Sequence, residues 1–134
     1  MNYQLIEVEP LTPKIGALVN GADLGQPVSD ELFGEIHDAW MDHLVLFFRD
    51  QDITPEQHLV FGRRFGDLHI HPAAPYENDN PALMKIHTDG ESLRNNGGGW
   101  HSDVSAAEET PMASKFHIHL TPSQGGDTLW SNMY

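Results

Sequence analysis

The hydrophobic period of this chain changes partway along it, and that change limits the fold more than any other feature. Leu32, Ile36, Trp40 and Leu44 recur every four residues, the stripe of an amphipathic helix. Phe116, Ile118 and Leu120 instead alternate with Lys115, His117 and His119, the period of a half-buried strand. Helices early and strands late predict an α+β fold with a β-rich second half.

Local signals fill in the order of elements. Residues 3–8 read as a short strand, followed by Pro10, Pro13, Gly16, Gly21 and Gly25 as loop punctuation. Ser29 is a good N-cap for the first helix, and residues 44–48 read as a buried strand after it. Thr54 should cap a second helix with Pro55 in its first turn and Gln57 closing a capping box, and Gly66 should end it. Residues 82–87, 115–120 and 128–130 read as strands, and residues 89–99 as a loop. With a fresh strand leading up to Tyr134, the chain is expected to form part of a larger domain.

Composition removes several functional classes. Seven Lys and Arg against 20 Asp and Glu leave a formal charge of −13, and the cations form no run longer than Arg63-Arg64. A nucleic-acid binder would present a clustered basic face, so none is expected. No apolar stretch approaches the ~20 residues that span a bilayer, and the first residues carry no basic and apolar leader pattern. With no cysteine, disulfides, thiolate metal sites and cysteine nucleophiles are all excluded. The default expectation is a cytoplasmic protein without a membrane partner, a homo-oligomer being left open.

The nine histidines carry the candidate chemistry. His-x-Asp occurs as His87-Thr88-Asp89 and His101-Ser102-Asp103. On extended backbone, residues i and i+2 share a face, so imidazole and carboxylate can converge on one metal, and a further histidine would complete a 2-His-1-carboxylate site. Chance alone gives about 0.7 such pairs in a chain of this composition, so the motif by itself is weak. His87 and Asp89 lead into Gly90, where an aspartate serves turn chemistry, and an exposed turn is the plain expectation there. His69-Ile70-His71 and His117-Ile118-His119 could each offer two imidazoles to a metal, but neither is followed closely by a carboxylate. Solvent-facing histidine is the simpler reading. Ser102, between His101 and Asp103, cannot assemble a hydrolytic triad with neighbours that point to opposite faces.

Longer motifs sharpen the choice. Trp100-His101-Ser102-Asp103-Val104, then Thr110-Pro111, then Gly125-Gly126-Asp127-Thr128-Leu129-Trp130 resemble the core of the taurine dioxygenase family of Fe(II)/2-oxoglutarate-dependent oxygenases. Ile15-Gly16-Ala17, Gly21-Ala22-Asp23-Leu24, Phe47-Phe48-Arg49-Asp50-Gln51, Ile53-Thr54-Pro55 and Arg64-Phe65-Gly66-Asp67-Leu68-His69-Ile70-His71-Pro72 are similar to that family's N-terminal half. The resemblance implies a double-stranded β-helix (jelly-roll) core with N-terminal helices. Residues 1–134 would be the N-terminal portion of a single dioxygenase domain, about its first half.

Position by position, the resemblance makes His101 and Asp103 iron ligands, with no catalytic residue beyond them. Thr128 would bind 2-oxoglutarate, and His71 and the Val104 backbone would face a small-molecule substrate. Fe(II), 2-oxoglutarate and O₂ are the implied cofactor and cosubstrates, with hydroxylation coupled to release of succinate and CO₂. The family's second iron histidine and its anion-binding arginines belong to a C-terminal half beyond these residues, so the 134 residues alone are expected to be inactive. Trp100 is expected in the core, and residues 97–99 as glycines that let backbone approach closely before the ligands. Ala73-Ala74 and the glycine triplet depart from taurine-specific members and remove substrate-side contacts, implying a larger sulfonate, sulfate ester or carboxylate. The competing readings are a non-enzymatic metal- or anion-binding jelly-roll module and an inactive fragment.

Overall fold

The computed structural model describes residues 2–72, 80–92 and 98–134, which form parts of two units: Met1–Phe61 with His117–Tyr134, and Gly62–Phe116. Ala73-Ala74, Glu77, Arg94 and residues 95–97 lie outside the described residues.

The first unit is built on a three-stranded sheet. Strand β1 (Glu7–Pro10) pairs antiparallel with β2 (Ala17–Asn20), Glu7 opposite Asn20 and Pro10 opposite Ala17. Strand β3 (Leu46–Phe48) lies parallel to β2 on its other side, Ala17 opposite Leu46. A parallel pair needs a crossover, and helix α1 (Asp30–His43) supplies it.

Two expectations about this sheet need correction. The punctuated stretch after Val8 is not all loop: β2 lies inside it, with Ala17 and Val19 buried. Four residues are too few for a period to register, and Gly16 and Gly21, both at φ +87°, mark the ends of that strand. The opening strand also starts later than residue 3. The N–H groups of Gln4, Leu5 and Ile6 donate to the Glu35 carboxylate at 2.7, 2.9 and 3.2 Å, so they are satisfied outside a ladder. Pro10 is tolerated because β1 is an edge.

Helix α1 begins as its sequence predicts, the Ser29 hydroxyl accepting the Leu32 N–H at 3.1 Å. Ile36 and Ala39 are buried, and the Phe33 ring meets that of Phe61 edge-on at 6.3 Å. Leu44, the last residue of the expected stripe, lies past the helix at φ 67° and donates its N–H to the Trp40 carbonyl at 2.7 Å. Strand β3 therefore starts at Leu46 rather than at residue 44.

Helix α2 (Pro55–Gly62) has the capping box: the Thr54 N–H donates to Gln57 Oε1 at 2.7 Å, and the Gln57 N–H to Thr54 Oγ1 at 3.2 Å. Its continuation toward Gly66 tightens into a 3₁₀ turn, Arg63–Phe65. Two glutamine amides tie the loops together. Gln51 bonds Leu24, Ala22 and Arg49, and Gln57 donates to the Gly25 carbonyl at 2.6 Å. Motifs separated in the sequence thus meet at residues 22–25.

Among the described residues, none after Phe61 is buried and no helix or strand follows Phe65. Residues 82–87, 115–120 and 128–130 form no ladder, against expectation, and no double-stranded β-helix is closed within the described residues. Extended backbone becomes a strand only when a second edge supplies N–H and C=O partners. The alternation at 115–120 is present with its phase reversed. Lys115 and His117 are half-buried, whereas Ile118 and Leu120 are 63 % and 81 % exposed. His117 Nε2 faces the Gln51 carbonyl at 3.2 Å, which holds that side of the segment inward. Trp100, expected in the core, is 73 % exposed. No described helix is long and apolar enough to cross a membrane.

Candidate metal centre

His101 and Asp103 occupy the entry to a turn at residues 103–106 in the second unit rather than a strand. Even so, their side chains meet: His101 Nε2 lies 3.4 Å from Asp103 Oδ1. His101 Nδ1 is 2.9 Å from the Gly99 carbonyl. A carbonyl oxygen only accepts, so Nδ1 carries a proton, and in the neutral ring Nε2 keeps its lone pair. Two lone-pair donors then converge across 3.4 Å, an arrangement that a cation or an added proton between them holds together.

That donor set fits a divalent metal such as iron. Two bonds of about 2.1 Å at a right angle span about 3.0 Å, so the observed pair closes on an ion with a shift of about 0.4 Å. The ring hydrogen bond to Gly99 is the outer contact that fixes the tautomer of a metal-binding imidazole. Asp103 Oδ2 accepts from the Ser114 hydroxyl at 2.5 Å. No group of three or more His, Asp or Glu able to hold a metal occurs among the described residues.

Immediately after the pair, Val104 sits at φ 51°, a left-handed conformation that strains a β-branched side chain. Strain of this kind concentrates at functional turns. The close-approach role expected of the glycines before the pair is not found at Gly98 or Gly99, the two described ones. A Cβ at Gly98 or Gly99 would meet nothing within 4 Å, because the backbone there lies at an exposed surface.

The other His-x-Asp pair has nearly the same separation, His87 Nε2 to Asp89 Oδ2 at 3.3 Å. Distance does not separate the two; the hydrogen bonds do. Asp89 Oδ1 takes the Ser92 hydroxyl at 2.9 Å and the Glu91 N–H at 3.1 Å, closing its own turn. Those bonds, with the His87 ring, hold the Asp89 carboxyl below its usual range. The expectation of an exposed turn at His87–Asp89 matches this geometry.

His71 is exposed, with its ring 6.3 Å from that of His69. Thr128 is exposed in the first unit, outside any helix or strand. In that unit the rings of His117 and His119 lie 4.1 Å apart, so this His-x-His does share a side. The role of the Gly99 carbonyl, as opposed to its small size, and the whole of Ser114 were missed by sequence reasoning. A serine eleven residues beyond its partner leaves no local signal.

Comparison with known proteins agrees with the motifs. Residues 7–134 match the Taurine catabolism dioxygenase TauD, TfdA family. The chain belongs to that family. It is 32 % identical over 137 residues to the (S)-phenoxypropionate/alpha-ketoglutarate-dioxygenase of Sphingobium herbicidovorans, covering 95 % of this chain and 45 % of that protein. It is 32 % identical over 129 residues to the alpha-ketoglutarate-dependent sulfate ester dioxygenase of Pseudomonas putida, covering 95 % and 42 %. The crystal structure of a taurine dioxygenase from Burkholderia xenovorans superposes with a TM-score of 0.65 at 34 % identity, over 78 % of this chain and 36 % of that one. The chain spans less than half the length of these relatives. Alpha-ketoglutarate-dependent dioxygenases of this family use Fe(II), 2-oxoglutarate and O₂.

Proposed function

We propose that residues 1–134 are the N-terminal portion of a single jelly-roll dioxygenase domain. It hydroxylates a small anionic substrate (a sulfonate, sulfate ester or carboxylate) at the expense of 2-oxoglutarate. The observation that carries the reading is the His101–Asp103 pair at 3.4 Å, its imidazole held through Nδ1 on the Gly99 carbonyl.

In this reading His101 Nε2 and Asp103 Oδ1 are two of the protein donors to Fe(II). The bound iron with 2-oxoglutarate and O₂ supplies the oxidative chemistry, and the protein supplies position. The Gly99 carbonyl holds the proton of His101 on Nδ1 and keeps Nε2 free to ligate. Val104 carries the backbone away from the pair through a strained turn, toward the substrate side. Thr128 hydrogen-bonds the distal carboxylate of 2-oxoglutarate through its hydroxyl, and His71 faces the substrate. An anionic substrate approaching a chain of formal charge −13 depends on a local cation, which the iron provides. The relatives named for phenoxypropionate and for sulfate esters support an anionic substrate class wider than taurine.

Anaerobic titration with Fe(II), with and without 2-oxoglutarate, tests the assignment. His101→Ala should lower affinity on the order of 100-fold, whereas His87→Ala should leave it unchanged. Equal loss in both variants would refute the choice of pair. In a version extended through the C-terminal half, metal binding that 2-oxoglutarate does not tighten would favour a simple metal-binding module.

A further inference from the structure

Building on this metal-site reading, we infer that Ser114 is a positioning residue that presents Asp103 to the metal through Oδ1 alone. A carboxylate has two oxygens and about four lone-pair sites, and can bind a cation through one oxygen or chelate it through both. Here the two oxygens are engaged differently. Oδ1 faces His101 Nε2 at 3.4 Å, and Oδ2 accepts the Ser114 hydroxyl at 2.5 Å. The hydroxyl fixes rotation about Cβ–Cγ and engages one lone pair of the oxygen that chelation would need. Single-oxygen binding leaves one more coordination position for exogenous donors than chelation does.

The turn after Asp103 does not need this bond. Its closure is already provided by the Ala107 N–H on the Val104 carbonyl at 3.0 Å and by Ser102 Oγ on Ser105 Oγ at 2.7 Å. Asp89 provides the contrast, since its Oδ1 takes partners from the next three residues and serves the turn itself. Ser114 comes from eleven residues away, so its bond acts on the carboxylate rather than on the local backbone.

The test is a Co(II) titration of the chain, read by calorimetry and by the d–d absorption bands. Wild type is compared with Ser114→Val, Ser114→Thr and His101→Ala, and circular dichroism of the metal-free proteins checks that all four fold alike. Valine and threonine have similar shapes, so the pair isolates the hydroxyl. Ser114→Val should bind Co(II) on the order of 10-fold more weakly, with d–d bands shifted by a changed carboxylate mode. Ser114→Thr should restore both. Wild-type affinity and bands in Ser114→Val, with binding lost in His101→Ala, would overturn the role of Ser114 and leave the metal site standing. Identical binding by wild type and His101→Ala would instead overturn the metal-site reading, and this inference with it.

Discussion

Gln51 and Leu24 are joined by a hydrogen bond across 27 residues, the Leu24 N–H donating to Gln51 Oε1 at 2.8 Å. The same carboxamide donates to the carbonyls of Ala22 at 3.1 Å and Arg49 at 2.9 Å. One side chain therefore satisfies three backbone groups in two loops beside the buried Ala22 and Leu24. Gln51→Ala should cost about 2–3 kcal/mol, three bonds at their usual net worth. Gln51→Glu should cost at least as much, because it keeps one acceptor but sets a carboxylate oxygen against the two carbonyls. Urea unfolding midpoints at constant slope are the measurement.

The Thr54–Gln57 box supports the start of α2 through two reciprocal bonds. Thr54→Ala should destabilise by about 1 kcal/mol, and Thr54→Ser by much less. A thermal melt of the three proteins distinguishes a lost cap from a lost methyl group, since serine keeps only the oxygen.

Glu35 links stability to acid pH. Desolvation alone would raise its pKa, but the N–H groups of Gln4, Leu5 and Ile6 together outweigh it, and the net shift is downward from 4.5. A depressed carboxyl stabilises the fold above its unfolded value, and that contribution is lost as pH falls below about 4.5 through the folded value. Glu35→Gln should be less stable than wild type at pH 7, with the difference shrinking below pH 4. Equal melting temperatures for the two proteins at pH 7 would contradict the role of this carboxylate.

Lys115 behaves in the opposite sense, because burial pulls its pKa from 10.5 down to about 8. The folded state therefore binds fewer protons than the unfolded one between pH 8 and 10.5, and stability should rise with pH across that window. The penalty is fully present below pH 8, so Lys115→Met should be more stable than wild type at pH 7. The ¹³Cε resonance of Lys115 should titrate near pH 8, and a midpoint near 10.5 would show the ammonium to be fully solvated.

The sequence by itself determined the features that depend on neighbours a few residues apart. The Ser29 cap, the Ile36 face of α1 and the Thr54–Gln57 box follow from side-chain oxygens and apolar groups repeating within one or two turns. The His101–Asp103 pair was also legible, since residues i and i+2 can meet on one side even where the backbone is a turn. Tertiary structure decided whatever required a distant partner. Ala17–Asn20 became a strand because β1 and β3 flank it, while residues 115–120, with the matching period, gained no ladder. Glu35 took the N–H groups that would have begun the first strand. Ser114 reached Asp103 across eleven residues. A side chain's own pattern states which face it prefers, but the donor or acceptor that satisfies it comes from another part of the chain, and only folding brings the two together.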